Sequence, residues 1–87
     1  MLITIEQYKI VDYLYDVYID HFDYSKNYLG IIAREKPNSY YTYSDGSTAY
    51  LYFKTLEEAA TQIFDTYKNY EGLCGDFQLE FKLDLKD

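Results

Sequence analysis

Hydrophobic positions recur along this chain with two different periods, and the period changes mark the elements. From Ile5 to Phe22, Tyr8, Val11, Leu14, Tyr15, Tyr18 and Phe22 fall on one stripe at about 100° per residue, which predicts an amphipathic helix. Thr4 and Gln7 supply a T-x-x-Q capping box at its start, with Ile3 and Tyr8 spaced as a hydrophobic staple. Asp12, Asp16, Asp20 and Asp23 form a separate row, well round the helix from that stripe.

Alternation then replaces helical spacing. Tyr28–Arg34 reads as a strand, with Leu29, Ile31 and Ala33 on one face and Tyr28, Ile32 and Arg34 on the other. Lys36-Pro37-Asn38-Ser39 has turn chemistry, because Pro fixes φ and Asn tolerates turn geometry. The runs SYYTY and TAYLYF flank Asp45-Gly46, a strong two-residue hairpin signal. That turn sets Tyr43 against Thr48, Tyr41 against Tyr50, and Tyr40 against Leu51. Tyr40, Thr42, Ala49, Leu51 and Phe53 take one face; Tyr41, Tyr43, Tyr50 and Tyr52 take the other.

Thr55 and Glu58 form a second capping box, opening a helix from Leu56 to about Tyr70 that Gly72 stops. Its inward stripe is Leu56, Ala59, Ala60, Ile63, Phe64, Tyr67 and Tyr70. Finally, Phe77, Leu79, Phe81, Leu83 and Leu85 alternate with polar residues in the cleanest strand pattern of the chain. The expected fold is α+β, in the order α-β-β-β-α-β, with a mostly antiparallel sheet and two helices packed on one face. Residues 1–87 allow a single globular domain, with no room for a second core.

Charge changes the picture more than length does. Fifteen Asp and Glu against eight Lys and Arg leave a net charge of −7. That balance argues against direct nucleic-acid binding, which needs a basic surface, and against docking on an anionic membrane. A hydrophobic content of 48% is too high for a disordered acidic tail. Thirteen of those hydrophobic residues are Tyr, so tyrosine rings must help bury the core. No apolar run approaches the roughly 18 residues of a membrane span, and the N-terminal residues lack signal-peptide features. A lone cysteine points to a reducing compartment, the cytoplasm of a bacterial host in the reading below.

Catalytic chemistry has little to stand on. His21 is the sole histidine and has no Ser or Cys neighbour in sequence to form a nucleophile–base pair. Cys74, between Gly72 and Gly75, reads as a small filler in a loop. One His and one Cys do not make a metal site, and no D-x-D-x-D-G loop is present for calcium. The sequence therefore predicts a non-enzyme with no cofactor and no metal.

Two surfaces remain as candidate partner-binding sites. The first is the row Asp12, Asp16, Asp20 and Asp23, whose helical rise of about 6 Å per step approximates phosphate spacing; the plain alternative is a solvated helix face. The second is the sheet face carrying Tyr41, Tyr43, Tyr50 and Tyr52, since exposed aromatic clusters mark partner sites. Cross-strand Tyr pairs that merely stabilise a hairpin are the plain alternative there.

The α-β-β-β-α order resembles that of double-stranded-RNA-binding domains over most of residues 5–70. Where those domains carry a basic cluster, this chain has Thr55-Leu56-Glu57-Glu58, which excludes that function. Small size, acidity, a tyrosine-rich surface and the lack of a catalytic kit resemble small phage-encoded inhibitors of bacterial defence, of the anti-CRISPR and DNA-mimic antirestriction types. That resemblance implies a non-catalytic inhibitor of a basic nucleic-acid-binding protein such as a Cas effector. It would occupy the DNA/RNA-binding or PAM-reading surface with acidic and Tyr side chains. The alternative is an adaptor or accessory subunit using the Tyr-rich face; the chain itself would be a monomer or a homodimer.

Overall fold

Ile3, Ile5, Tyr15, Val17 and Ile19 are all buried, and between each run of them the intervening residues point the other way. That period of two is the signature of strands, and it governs the segment in which a helix is expected from the sequence. The computed structural model describes residues 1–20, 26–43, 50–73, 75 and 77–85, with the backbone alone for Lys26, Tyr43 and Tyr50. Within it, β1 (Leu2–Gln7) and β2 (Leu14–Asp20) form an antiparallel pair, with Ile3 opposite Ile19 and Ile5 opposite Val17. The expected helix from Ile5 to Phe22 does not form. Ile3, Thr4, Ile5, Val17 and Ile19 are β-branched, and Tyr and Asp are weak helix formers, so local propensity agrees with the alternation rather than with the stripe.

The chain continues through β3 (Lys26–Lys36), β4 (Ser39–Tyr43) and β5 (Tyr50–Phe53), then α1 (Leu56–Glu71) and β6 (Glu80–Asp84). Among the described residues the result is one six-stranded sheet in the order β5-β4-β3-β2-β1-β6 with a single helix. This corrects the expected α-β-β-β-α-β order and the expectation of two helices on one face. Neighbouring strands are antiparallel except for β6, which lies parallel to β1. A parallel neighbour needs a long crossover, and α1 supplies it, carrying the chain from one sheet edge to the other. The Met1 ammonium donates to the Gln78 carbonyl at 2.7 Å and the Glu80 amide donates to the Met1 carbonyl at 2.9 Å, which seats β6 beside β1.

Local chemistry explains most boundaries. Pro37 and Asn38 connect β3 to β4, and Asn38 adopts φ 62°, the positive φ that the third residue of a type II turn requires. The Thr55 hydroxyl accepts from the Glu58 amide at 3.1 Å at the N-terminus of α1. At the other end Gly72 takes φ 70°, a left-handed cap that glycine adopts without a Cβ penalty. The β4–β5 ladder pairs Tyr43 with Tyr50 and Tyr41 with Tyr52, two residues away from the register of a tight Asp45-Gly46 turn. Because the side-chain period is two, this shift leaves the sorting of faces intact. Asp45 and Gly46 themselves lie outside the described residues.

The core sits between α1 and one face of the sheet. Ala59, Ala60 and Phe64 are buried against Ile3, Ile5, Val17, Ile19 and Ile32. Ala59 and Ala60 are small enough to bring the helix close to the strands. Tyr70 is 87% exposed and does not belong to the inward stripe expected of it. The C-terminal strand is shorter than its alternation suggests, beginning at Glu80 rather than Phe77. Phe77 instead packs edge-on against Phe64, ring centroids 5.9 Å apart, while Leu83 and Leu85 are exposed. Phe64→Ala should therefore cost about 3–5 kcal/mol in chemical denaturation, as full burial of an aromatic implies. Leu85→Ala should stay within about 0.5 kcal/mol of the parent. Similar losses for both would show that the core has been assigned to the wrong residues.

Candidate partner-binding face

The strand pairings decide which side chains share the sheet face opposite α1. Thr4, Asp16, Tyr18, Ile31, Ala33, Tyr41 and Tyr52 alternate with the core residues of their strands and so lie on that open face. Tyr28 joins them through a β-bulge. Val17 pairs with Gly30 but Tyr18 pairs with Tyr28, so Leu29 is the extra residue. Simple alternation from Ile32 places Tyr28 on the helix side; the bulge turns it to the open side, against Tyr18. The two rings meet edge to face with centroids 5.6 Å apart. Leu29 is left to pack against the core.

A hydrogen-bonded group forms beside this ring pair. The Tyr8 hydroxyl donates to Asp16 Oδ1 at 3.1 Å. Burial first, then the hydrogen bond to Asp16 and its negative charge, raises the Tyr8 pKa above the usual tyrosine value. Tyr28 is pushed up to about 12, by burial first and then by the charge of Asp16, with Tyr8, Tyr18 and a hydrogen bond to Asp16 adding to it. Cross-strand pairing also sets Asp16 opposite Glu6, and Glu6 opposite Asp84 on β6. Three carboxylate-bearing positions thus stand in one row across β2, β1 and β6. Like charges directly opposite one another are unfavourable in a sheet.

Farther along the face, Tyr41 and Tyr52 form a second ring pair, centroids 5.6 Å apart and tilted by 46°. Tyr52 is exposed and Tyr41 half-buried. The backbone places Tyr43 and Tyr50 at paired positions on the same face. The sequence-predicted tyrosines therefore share one side of the sheet, joined by Tyr28, which the sequence sets beside them together with Ile32, and by Tyr8 and Tyr18, which it sets on a helix stripe; Ile32 is buried in the core instead.

The predicted Asp row is dismantled by the loss of the first helix. Asp12 lies in the β1–β2 connection, where its carboxylate is 3.8 Å from Arg34 and its carbonyl accepts from Gln7 Nε2 at 2.7 Å. Asp16 and Asp20 lie on β2, where four residues span about 13 Å rather than the 6 Å of a helix. Phosphate-like spacing is gone. Asp23 and His21 lie outside the described residues, as does Cys74. Among the described residues no group of three His, Cys, Asp or Glu is arranged to hold a metal ion. No described helix is long and apolar enough to cross a membrane.

A separate groove of about 760 Å³ runs between α1 and the β3–β5 end of the sheet, bordered by Leu51, Ile63, Tyr67 and Tyr70. It carries no ionisable group besides tyrosine, and its chemistry is that of an incompletely covered core edge.

Raised tyrosine pKa values have a stability consequence. A folded-state pKa above the unfolded value of about 10 means that the folded protein holds the proton longer. The stabilisation is complete below about pH 10 and is lost as pH rises through about 12 for Tyr28. The urea midpoint should therefore fall over that window, and Tyr28→Phe should flatten the fall. An unchanged alkaline profile in Tyr28→Phe would mean that neither burial nor the Asp16 charge holds this proton.

No protein-family model matches the chain, and no curated protein or solved structure matches it either, so the open face is read from its own chemistry.

Proposed function

We propose that the protein is a non-catalytic binding protein that inhibits a basic, nucleic-acid-handling enzyme of bacterial defence through the open face of its sheet. The observation that carries this reading is the uncovered face itself, on which two tyrosine pairs flank a half-buried Asp16. Tyrosine supplies large, rigid contact area with a hydroxyl, the composition expected at an interface centre. A net charge of −7 selects for a basic partner and speeds the encounter with it. Enzymes that grip DNA or RNA present dense Lys and Arg surfaces, so they are the partner class that fits. The acidic contribution comes from the cross-strand row at Glu6, Asp16 and Asp84, not from a helical Asp row.

Purified RNA-guided nucleases and restriction enzymes provide the test. Adding the protein should release bound DNA or RNA from at least one of them, and the release should weaken as salt rises. Tyr41→Ala with Tyr52→Ala should weaken that inhibition by about 2 kcal/mol or more, the cost of truncating central interface tyrosines. The fold should lose only about 1 kcal/mol, the scale of a cross-strand pair. Undiminished inhibition by the folded double variant would remove the face from the mechanism. Indifference of every enzyme tested would remove the partner class.

A further inference from the structure

We infer that β6 is a self-association edge, to which a second copy of this chain adds its own β6 in antiparallel register centred on Phe81. This contact is separate from the open face and does not depend on what that face binds. Among the described residues β6 ends the sheet, with no strand beyond it. The Glu80 amide donates to the Met1 carbonyl, and Glu80, Lys82 and Asp84 stand opposite Leu2, Thr4 and Glu6 of β1. Backbone groups alternate sides along a strand, so Leu79, Phe81 and Leu83 turn their N–H and C=O groups to the free edge. A row of this kind is a template for another strand.

Charge selects both the occupant and the register. A lysine in the middle of an edge guards against pairing unless an acid stands opposite it. The order Glu80-Phe81-Lys82 supplies that acid from an identical strand. With Phe81 facing Phe81 of the second copy, Glu80 faces Lys82 in both directions and Leu79 faces Leu83. The Phe81 pair then exchanges backbone hydrogen bonds, while the two Glu80–Lys82 pairs fall at non-hydrogen-bonded positions, where side chains come closest. Centring the contact on Lys82 instead opposes Lys82 to Lys82 and Glu80 to Asp84, like charges in both cases. Centring it on Leu83 sets Lys82 against Asp84, which already interacts within its own chain.

The two faces agree with this register. Phe81 and Leu83 stand opposite Ile3 and Ile5, so their side chains lie on the helix side of the sheet, where Leu83 is exposed and Phe81 half-buried. Pairing brings Leu79 and Phe81 of the second copy against them. Glu80 and Lys82, both exposed, meet their opposites on the other side. A two-fold axis through the Phe81 pair, perpendicular to the sheet, makes the contact isologous. It sets both helices on one side of a continuous sheet and both open faces on the other.

The test is sedimentation of the whole chain over a range of concentrations, with hydrogen exchange read at single amides. The mass should double as concentration rises, and exchange at the Leu79, Phe81 and Leu83 amides should slow with it. The Glu80 and Lys82 amides, which face β1, should be protected throughout. Lys82→Glu should weaken association by at least about tenfold, and so should Glu80→Lys, because each turns two attractive pairs into repulsive ones. An equal mixture of these two variants should associate again, since each then meets the opposite charge; this also shows that both are folded. The chain carrying both exchanges should associate as the unaltered one does, and its failure to do so would overturn the Phe81 register. A monomeric mass up to about 1 mM, weaker than any specific contact needs, would overturn the edge contact. So would association that survives Lys82→Glu but is lost in Tyr52→Ala, which would move the contact to the open face.

Discussion

Burial of one sheet face beneath α1 is the interaction on which the rest of the molecule depends. The helix has 16 residues, about 24 Å of length, and its buried stripe is Leu56, Ala59, Ala60 and Phe64. Ile3, Ile5, Val17, Ile19 and Ile32 have no exposed surface, because the helix and its two alanines close over them. A single helix covers only one side of six strands. It also leaves β6 thinly covered, which is why Leu83 and Leu85 are exposed although they continue a hydrophobic alternation.

The open face is not simply the remainder of the sheet. Its acidic positions alternate with Lys82 on β6, between Glu80 and Asp84, while β2 to β5 contribute mainly tyrosines. Ala33 and Thr4 are buried there without any helix above them, so neighbouring side chains on the face itself shield them. The bulge at Leu29 brings a third ring to the Asp16 group and gives β3 a local bend. Bulges cost ladder hydrogen bonds, and this one gains the Tyr18–Tyr28 ring pair in exchange.

Electrostatics and aromatic packing act together at Asp16. A half-buried carboxylate needs hydrogen-bond donors, and the Tyr8 hydroxyl supplies one without supplying a compensating charge. Arginine or lysine in the same positions would stabilise the carboxylate more strongly and erase the negative potential. The strand register sets Asp16 opposite Glu6, and Glu6 opposite Asp84.

Local chemistry made several elements legible. The caps at Thr55 and Gly72, the Pro37-Asn38 turn, the strand through Ile32 and the division of the β4–β5 tyrosines between faces all depend on neighbours in sequence or on a period of two. A two-residue change of register could not disturb that division. The segment from Ile5 to Phe22 was ambiguous because its aromatic residues satisfy helical spacing while its odd-numbered residues satisfy strand spacing. Tertiary contact decided it: Val17 and Ile19 are buried only because β1 and β3 flank them and α1 lies above. With that choice the helical Asp row vanished. The group of Tyr8, Asp16, Tyr18 and Tyr28 appeared instead, from a bulge and a strand pairing that leave no mark on sequence spacing. Acidity and tyrosine content were determined by the chain alone; which of those side chains meet was settled by the pairing of strands distant in sequence.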